Sequence, residues 1–329
     1  MTISISRRKL LAWISVAGAW PMAARAQQVS PVIGFLHQGA PDAYGVPMAA
    51  FRQALAEAGF VEGQTITVEY RWANGQNGLL AGLAADLLRK QVRLMVATAG
   101  TAAQVVKSQT SSIPIVFGVG GDPEVMGLVG SLNRPAGNAT GVNFFANALT
   151  AKRIGILHDS LPNAKRVAAL VNPDSAVPGL TAIDEAISAT TSVGLSTEIF
   201  RARNSNEIDA MFKTVSQGHF DALLVLASPL FSTRRAQLAT LAAHYSIPAI
   251  FFSREFAEAG GLMSYGTSFA DAYRQMGLYT ARILKGEKPA ELPVVQASKF
   301  EFVINLQTAK LLGLDIPPGV LAQADEVIE

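Results

Sequence analysis

From Val32 onwards, short apolar runs alternate with longer stretches in which apolar residues recur every three or four positions. The first run, Val32-Ile33-Gly34-Phe35-Leu36, predicts a buried strand. Over 47–58, Met48, Phe51, Leu55 and Ala58 share one helical face, with Pro47 suited to the first turn and Gly59 to the stop. The same unit recurs as a strand over 65–70 with a helix over 79–90, and as a strand over 94–98 with a helix from Thr101. It recurs again as a strand over 113–117 with a helix from Pro123. Four such units in succession predict a parallel sheet covered by helices on both faces.

A turn-rich stretch over 133–138 then leads through 140–143 into a helix over 149–160, where the alternation restarts. Strands are predicted over 166–171, 196–200, 221–226 and 247–252, separated by helices over 180–193, 205–217 and 232–245. A glycine-rich segment over 260–266 precedes a helix over 270–284, and the tail reads as short strands with a helix around 307–312. The two sets share a design and a length without a sequence repeat. A chain of roughly 300 residues suits two lobes better than one undivided core. The predicted fold is α/β, with two doubly wound Rossmann-like lobes. Their facing loops make a cleft at the carboxyl ends of the strands, where ligands bind in such sheets.

Ahead of the first strand, Ser6-Arg7-Arg8-Lys9-Leu10-Leu11 is followed by an apolar run and then by Ala24-Arg25-Ala26 before Gln27. A basic head, a short hydrophobic centre and a small-x-small exit predict an export signal over 1–26, cleaved after Ala26, and a periplasmic protein. The arginine pair is similar to a twin-arginine signal, with Leu10 where that motif commonly has Phe. The run over 10–24, interrupted by Gly18 and Pro21, is short for a permanent membrane span. No cysteine follows the cleavage site, so a lipid anchor is not expected. The signal also holds four of the 27 Lys and Arg and none of the 25 Asp and Glu. The remainder therefore carries 23 against 25, a net charge of −2, and no nucleic-acid partner is expected. Without cysteines there are no disulfides, and an ordinary core must hold the fold.

Signs of catalysis are few. The four histidines, His37, His158, His219 and His244, have no metal-ligand spacing, and neither a metal nor a cofactor is expected. His37 follows the first strand; with no activating partner in view it reads as a polar residue touching ligand rather than a general base. The segment Leu262-Met263-Ser264-Tyr265-Gly266 lacks the leading glycine of a nucleophile elbow. Pro123 stands where the last glycine of a dinucleotide fingerprint would be. What the strand ends offer is small and polar: Gln38-Gly39, Thr98 to Thr101, Gly118 to Asp122, Asn172 to Ser175 and Ser228-Pro229. Glycines let a ligand approach the backbone, and helix starts at Thr101 and Pro123 would present free N–H groups to a carboxylate. Thr101 and Asp122 read as helix caps and as ligand contacts, two compatible roles. Tyr44, Phe231 and Tyr265 are aromatics of the kind that either stack on an apolar ligand group or pack internally.

The tail is more specific. Ser253-Arg254-Glu255-Phe256, Ala259 to Gly266, Ala281 to Pro289 and Leu292-Pro293-Val294 resemble the ABC transporter substrate-binding protein family, which includes receptors for tryptophan and other aromatic amino acids. Segments 118–129, 134–142 and 304–310 match the same pattern, so the resemblance runs from about residue 30 to the C-terminus. It implies a type I periplasmic binding protein: two lobes joined by three crossing strands, closing on a small solute and delivering it to an ABC permease in the inner membrane. Residues 27–144 with 267–293 would form one lobe, and 145–266 with 294–329 the other. By the same resemblance Gln38, Thr98, Gly100, Thr101, Gly120 and Asp122 line one wall of the cleft, and Asn172, Ser175, Ser228, Phe231, Glu255 and Tyr265 the other. Relatives often carry a Thr-Asp-Asn-like turn where this chain has Ala227-Ser228-Pro229, which removes an acid able to take an ammonium group. The expected function is solute binding without catalysis, by a monomer. The expected ligand bears a carboxylate and is a hydrophobic or aromatic amino acid, with Asp122 or Glu255 pairing with its amine. A periplasmic sensor for a membrane signalling protein and a periplasmic hydrolase are the alternatives. A repressor is disfavoured because an export signal stands where a DNA-binding helix-turn-helix would be.

Overall fold

The computed structural model describes residues 30–146, 148–175 and 179–329, without the side chains of 179–181. The export signal expected over 1–26 lies outside these residues. In chain order the strands are β1 (Val32–His37), β2 (Thr67–Trp72), β3 (Leu94–Thr98), β4 (Ile115–Val119), β5 (Ala139–Asn143), β6 (Arg166–Val171) and β7 (Ser196–Arg201). They continue with β8 (Ala222–Val225), β9 (Ala249–Phe251), β10 (Met263–Thr267), β11 (Val295–Gln296), β12 (Phe300–Asn305) and β13 (Glu326–Ile328). One sheet runs β11-β5-β4-β3-β1-β2 and is parallel throughout. The other runs β13-β12-β10-β9-β8-β6-β7, with β10 and β12 its antiparallel pair.

Both sheets are apolar on both faces, as the unbroken apolar runs require. Phe35 of β1 enters a core with Phe51, Val96 and Met276, while its neighbour Leu36 enters another with Leu87, Ala97 and Phe117. Strand alternation divides β6 in the same way, sending Val167 and Ala169 to one face and Ala168 and Leu170 to the other. In the first half, helix Gly45–Glu57 packs closely on helix Phe269–Leu284 at Gly277, where a Cβ would come within 2.6 Å of the Phe51 carbonyl oxygen. The chain crosses between the sheets three times: after β5, after β10, and between β11 and β12. Strand β11 pairs with β5 in the first sheet, although the expected boundary at 293 assigns it to the second lobe.

Three local expectations change. No helix starts at Pro123; residues 123–127 form turns, with the Met126 N–H bonded to the Asp122 carbonyl at 3.0 Å and the Leu128 N–H to the Pro123 carbonyl at 2.9 Å. Gly127 at φ +70° ends this tight path back to β5. Residues 139–143, read as a lead-in, form a fully buried strand. The helix expected over 232–245 is two helices, Pro229–Thr233 and Arg235–His244, broken at Arg234.

Candidate functional site

A cavity of about 120 Å³ lies where the carboxyl ends of the two sets of strands face each other. Its first wall is made by His37 at the end of β1 and Gln38 after it, Ala99 and Gly100 after β3, Gly120 and Gly121 after β4, and the rings of Tyr44 and Tyr273. Its second wall is made by Val171 at the end of β6, Asn172 and Ser175 after it, Leu226 to Pro229 after β8, Ser232, and Phe252 after β9. The crossing segments add Phe144, Ala146 and Phe269.

Burial organises the first wall. The Nδ1 atom of His37 accepts the Gly39 N–H at 2.6 Å, so in the neutral ring Nε2 carries the proton and donates it to the Tyr273 hydroxyl oxygen at 3.1 Å. Burial pushes the His37 pKa down to about 3, which keeps the ring neutral, and holds the Tyr273 phenol well above its usual range. Because Tyr273 already accepts from His37, its own hydroxyl proton faces outward from that bond. The His37 ring stacks on Trp72 with centroids 4.8 Å apart, and Tyr273 stacks on Tyr44 at 6.1 Å and Phe144 at 6.3 Å. This cluster gives the cavity an aromatic side.

The polar features are backbone and hydroxyl groups. Ala99, at φ +74°, turns the chain into helix Gly100–Gln109, whose first-turn N–H groups have no partner inside the helix. The enclosed hydroxyls of Thr101 and Ser175 lack hydrogen-bond partners among the described residues. On the second wall, beside Ser175, Asn172 Nδ2 donates to Ser228 Oγ at 3.0 Å, and the same Oγ accepts the Leu230 N–H at 3.3 Å as the cap of helix Pro229–Thr233. Ser228 therefore keeps its hydroxyl proton for a third group. The walls are joined through Asn77, which accepts from Gln38 Nε2 at 2.7 Å and donates to the Asp174 carbonyl at 2.9 Å.

Of the residues expected at the site, Gln38, Tyr44, Gly100, Gly120, Asn172, Ser175 and Ser228 line the cavity together. Thr98 and Thr101 stand beside it on β3 and the following helix; Thr98 is fully buried near the Tyr273 hydroxyl, but its Oγ1 makes no bond of ordinary geometry. The remaining four lie elsewhere. Asp122 is exposed, and its carboxylate caps the turn at the Glu124 N–H, 2.8 Å away. Phe231 is wholly inside the second lobe's core, because its short helix turns that ring inward. Tyr265 packs on Phe300 and Phe302 from the middle of β10. Glu255 borders a separate gap, divided from the cavity by Tyr44, Ser232 and Phe269, which line both spaces. Burial raises its carboxyl pKa. Sequence reasoning missed Phe144, Ser232, Phe252, Phe269 and Tyr273. The spacing of Phe269 and Tyr273 held a hint, since residues four apart share a helix face. Among the described residues no cluster of His, Cys, Asp and Glu could hold a metal ion, and no helix is long and apolar enough to cross a membrane.

Known proteins place this geometry in context. A tyrosine-binding protein of Clostridioides difficile strain R20291 is 23% identical over 264 residues, covering 80% of this chain and 75% of that protein. An ABC domain from Streptococcus pneumonia, solved in complex with L-Trp, is 26% identical with a TM-score of 0.82, over 91% of this chain and 100% of that one. A conserved domain protein from Vibrio cholerae O1 biovar El Tor N16961 is 23% identical with a TM-score of 0.84, over 91% and 99% of the two chains. The fold is that of the type I periplasmic binding proteins. The pattern of ABC transporter substrate binding proteins matches residues 38–328, and the chain belongs to that family.

Proposed function

We propose that this protein is the exported, monomeric solute receptor of an ABC importer, released into the periplasm by cleavage after Ala26 and delivering its solute to an inner-membrane permease. The solute is small, bears a carboxylate and has a hydrophobic or aromatic body, as amino acids such as tyrosine and tryptophan do. The observation that carries this reading is the cavity itself, between two sets of strand ends, with aromatic rings and the free first-turn N–H groups of helix Gly100–Gln109 on the first wall and the unpartnered Ser175 hydroxyl on the second. The carboxylate would meet the first-turn N–H groups of helix Gly100–Gln109, where the helix dipole favours an anion. The apolar body would lie against Tyr44, Phe144 and Tyr273. No step requires catalysis.

Hinge closure follows from the same geometry. A ligand touching both walls binds the closed arrangement better than the open one, and that difference in affinity drives closure. The Asn77–Asp174 hydrogen bond, the link of the Gln38–Asn77–Asp174 chain that spans the cleft, requires the walls to approach. A micromolar receptor needs about −8 kcal/mol, within reach of a few buried hydrogen bonds and one apolar pocket. The test is a melting-temperature screen of the exported protein against amino acids, other small carboxylates, sugars and nucleotides, with X-ray scattering of each complex. Apolar carboxylates should stabilise the fold by about 2.7 kcal/mol at a hundredfold excess over the dissociation constant, and the particle should contract. Stabilisation by sugars or nucleotides alone, or binding without contraction, would refute the proposal.

A further inference from the structure

We infer that the solute of this cleft carries no ammonium group: it is an aromatic or similarly apolar carboxylic acid rather than a zwitterionic amino acid. The inference rests on the proposed function and sharpens it. Among the described residues, none of the side chains lining the cavity is Asp, Glu, Lys or Arg. Its one imidazole, His37, is neutral, with Nδ1 accepting and Nε2 donating inside the wall. Asn147 and the segment Ala176-Val177-Pro178, which lie outside the described residues, carry no ionisable side chain. The two acids that a bound amine would need are elsewhere: Asp122 caps a surface turn, and Glu255 lies behind Tyr44 and Ser232.

The balance of donors and acceptors points the same way. An ammonium brings three donors and no acceptor, and removing it from water costs several kcal/mol unless a charge or full hydrogen bonding replaces the lost hydration. Three of the wall's side-chain acceptors already have donors. Ser228 Oγ already accepts two hydrogen bonds, the Tyr273 oxygen accepts from His37, and Asn172 Oδ1 accepts the Asp174 N–H at 3.0 Å. What the wall can offer an anion is donors: the first turn of helix Gly100–Gln109 and the hydroxyls of Ser228 and Ser175. Those donors match a carboxylate, which has acceptors only. Neutral acceptors such as Gln38 Oε1 and Ser175 Oγ do not replace a carboxylate as the partner of a buried cation.

The test is calorimetric titration of the exported protein with 3-phenylpropanoate, L-phenylalanine and 2-phenylethylamine, which share a ring and chain and differ in carboxylate and ammonium. Indole-3-propanoate and L-tryptophan form a second matched pair. Each deaminated acid should bind at least tenfold tighter than its amino acid, about 1.4 kcal/mol, and the amine should bind weakest. Equal or tighter binding of either amino acid overturns the inference while leaving the receptor reading intact. No binding by any of the acids or amino acids overturns the receptor reading for this class, and the inference with it. A reciprocal variant, Ser228→Asp, keeps a good helix cap and puts a carboxylate in the wall. Its preference should swing at least tenfold towards L-phenylalanine; a folded Ser228→Asp protein with the original preference overturns the inference.

Discussion

On the first wall of the cleft, His37 is tied to Gly39 and Tyr273 and enclosed by the rings of Tyr44 and Trp72, so this wall is an extension of the lobe's aromatic core. On the second, Asn172 and Ser228 hold one another at the mouth of a five-residue helix. The difference is one of depth. A change in the first wall is transmitted to the core and should appear as lost stability. A change in the second should appear mainly as altered affinity, because fewer buried groups depend on it.

The largest expected effect checks that the contrast belongs to the walls and not to the strands beneath them. Gly141 of β5 and Gly266 of β10 each lie in the strand that leads into a crossing. A Cβ at either position would collide with a neighbouring carbonyl, that of Phe117 for Gly141 and that of Phe252 for Gly266. Backbone cannot yield as a flexible side chain can, so Gly141→Ala and Gly266→Ala should each cost about 3 kcal/mol or more in urea unfolding. Similar losses in both would show that the lobes rest on equivalent strands. A loss in one alone would mean that the asymmetry extends below the walls.

The next effect is specific to the first wall. His37 in the folded protein has a pKa near 3, below the ordinary value of 6.5. As pH falls below 6.5 the unfolded chain takes up the proton first. The stability associated with neutral His37 is therefore complete above that pH and is lost progressively as pH falls towards 3. At 1.4 kcal/mol per pH unit, the loss reaches about 2 kcal/mol by pH 5. His37→Gln should start less stable at neutral pH but should lack this part of the acid dependence. Denaturant titrations at pH 7 and pH 5 measure it, and identical pH profiles for the variant and the wild type would remove His37 from the first wall's stability.

These two tests use features of unequal legibility. The strands β1, β3 and β6 could be read directly, because apolar runs such as Leu94-Met95-Val96-Ala97 have one stable placement, buried on both faces of a parallel sheet. The rule that ligands meet strand carboxyl ends also brought Gln38, Gly100, Gly120, Asn172, Ser175 and Ser228 to one cavity. Strand β5 was obscured because a buried Thr140-Gly141 depends on the neighbouring strand's backbone, a non-local condition. Tyr273 was obscured because its helix enters the first lobe only through a chain crossing. Tyr265 and Phe231 are aromatic in the right neighbourhood but face cores, and composition does not show which way a side chain faces.

On the second wall, Ser228→Ala removes the cap of helix Pro229–Thr233 and strands the Asn172 amide. A lost cap costs about 1 kcal/mol, so stability should fall by roughly half of what acidification to pH 5 takes from the first wall. Solute affinity should fall at the same time, since Ser228 lines the cavity. Thermal unfolding with and without bound solute separates the two effects. A stability loss as large as that seen at His37 would erase the difference in depth between the walls.

The smallest expected effect comes from Asp122, which follows β4 on the first lobe but faces water. Its Oδ1 accepts the Glu124 N–H at 2.8 Å and, more loosely, the Val125 N–H at 3.4 Å, so its work is to hold the turn rather than the solute. Asp122→Asn preserves an oxygen that can accept both bonds while removing the charge. A surface substitution of this kind ordinarily changes stability by less than about 0.5 kcal/mol, and affinity for an apolar carboxylate should change by less than about twofold, the equivalent of 0.4 kcal/mol. The exposed side chain's negative charge acts on an anionic solute only weakly, through solvent, so any change should be a slight gain that salt abolishes. Calorimetry at low and high ionic strength tests this directly. A tenfold loss of affinity in Asp122→Asn would instead place the carboxylate against a cationic group of the solute, and the charge-free cavity would then be the wrong description of the site.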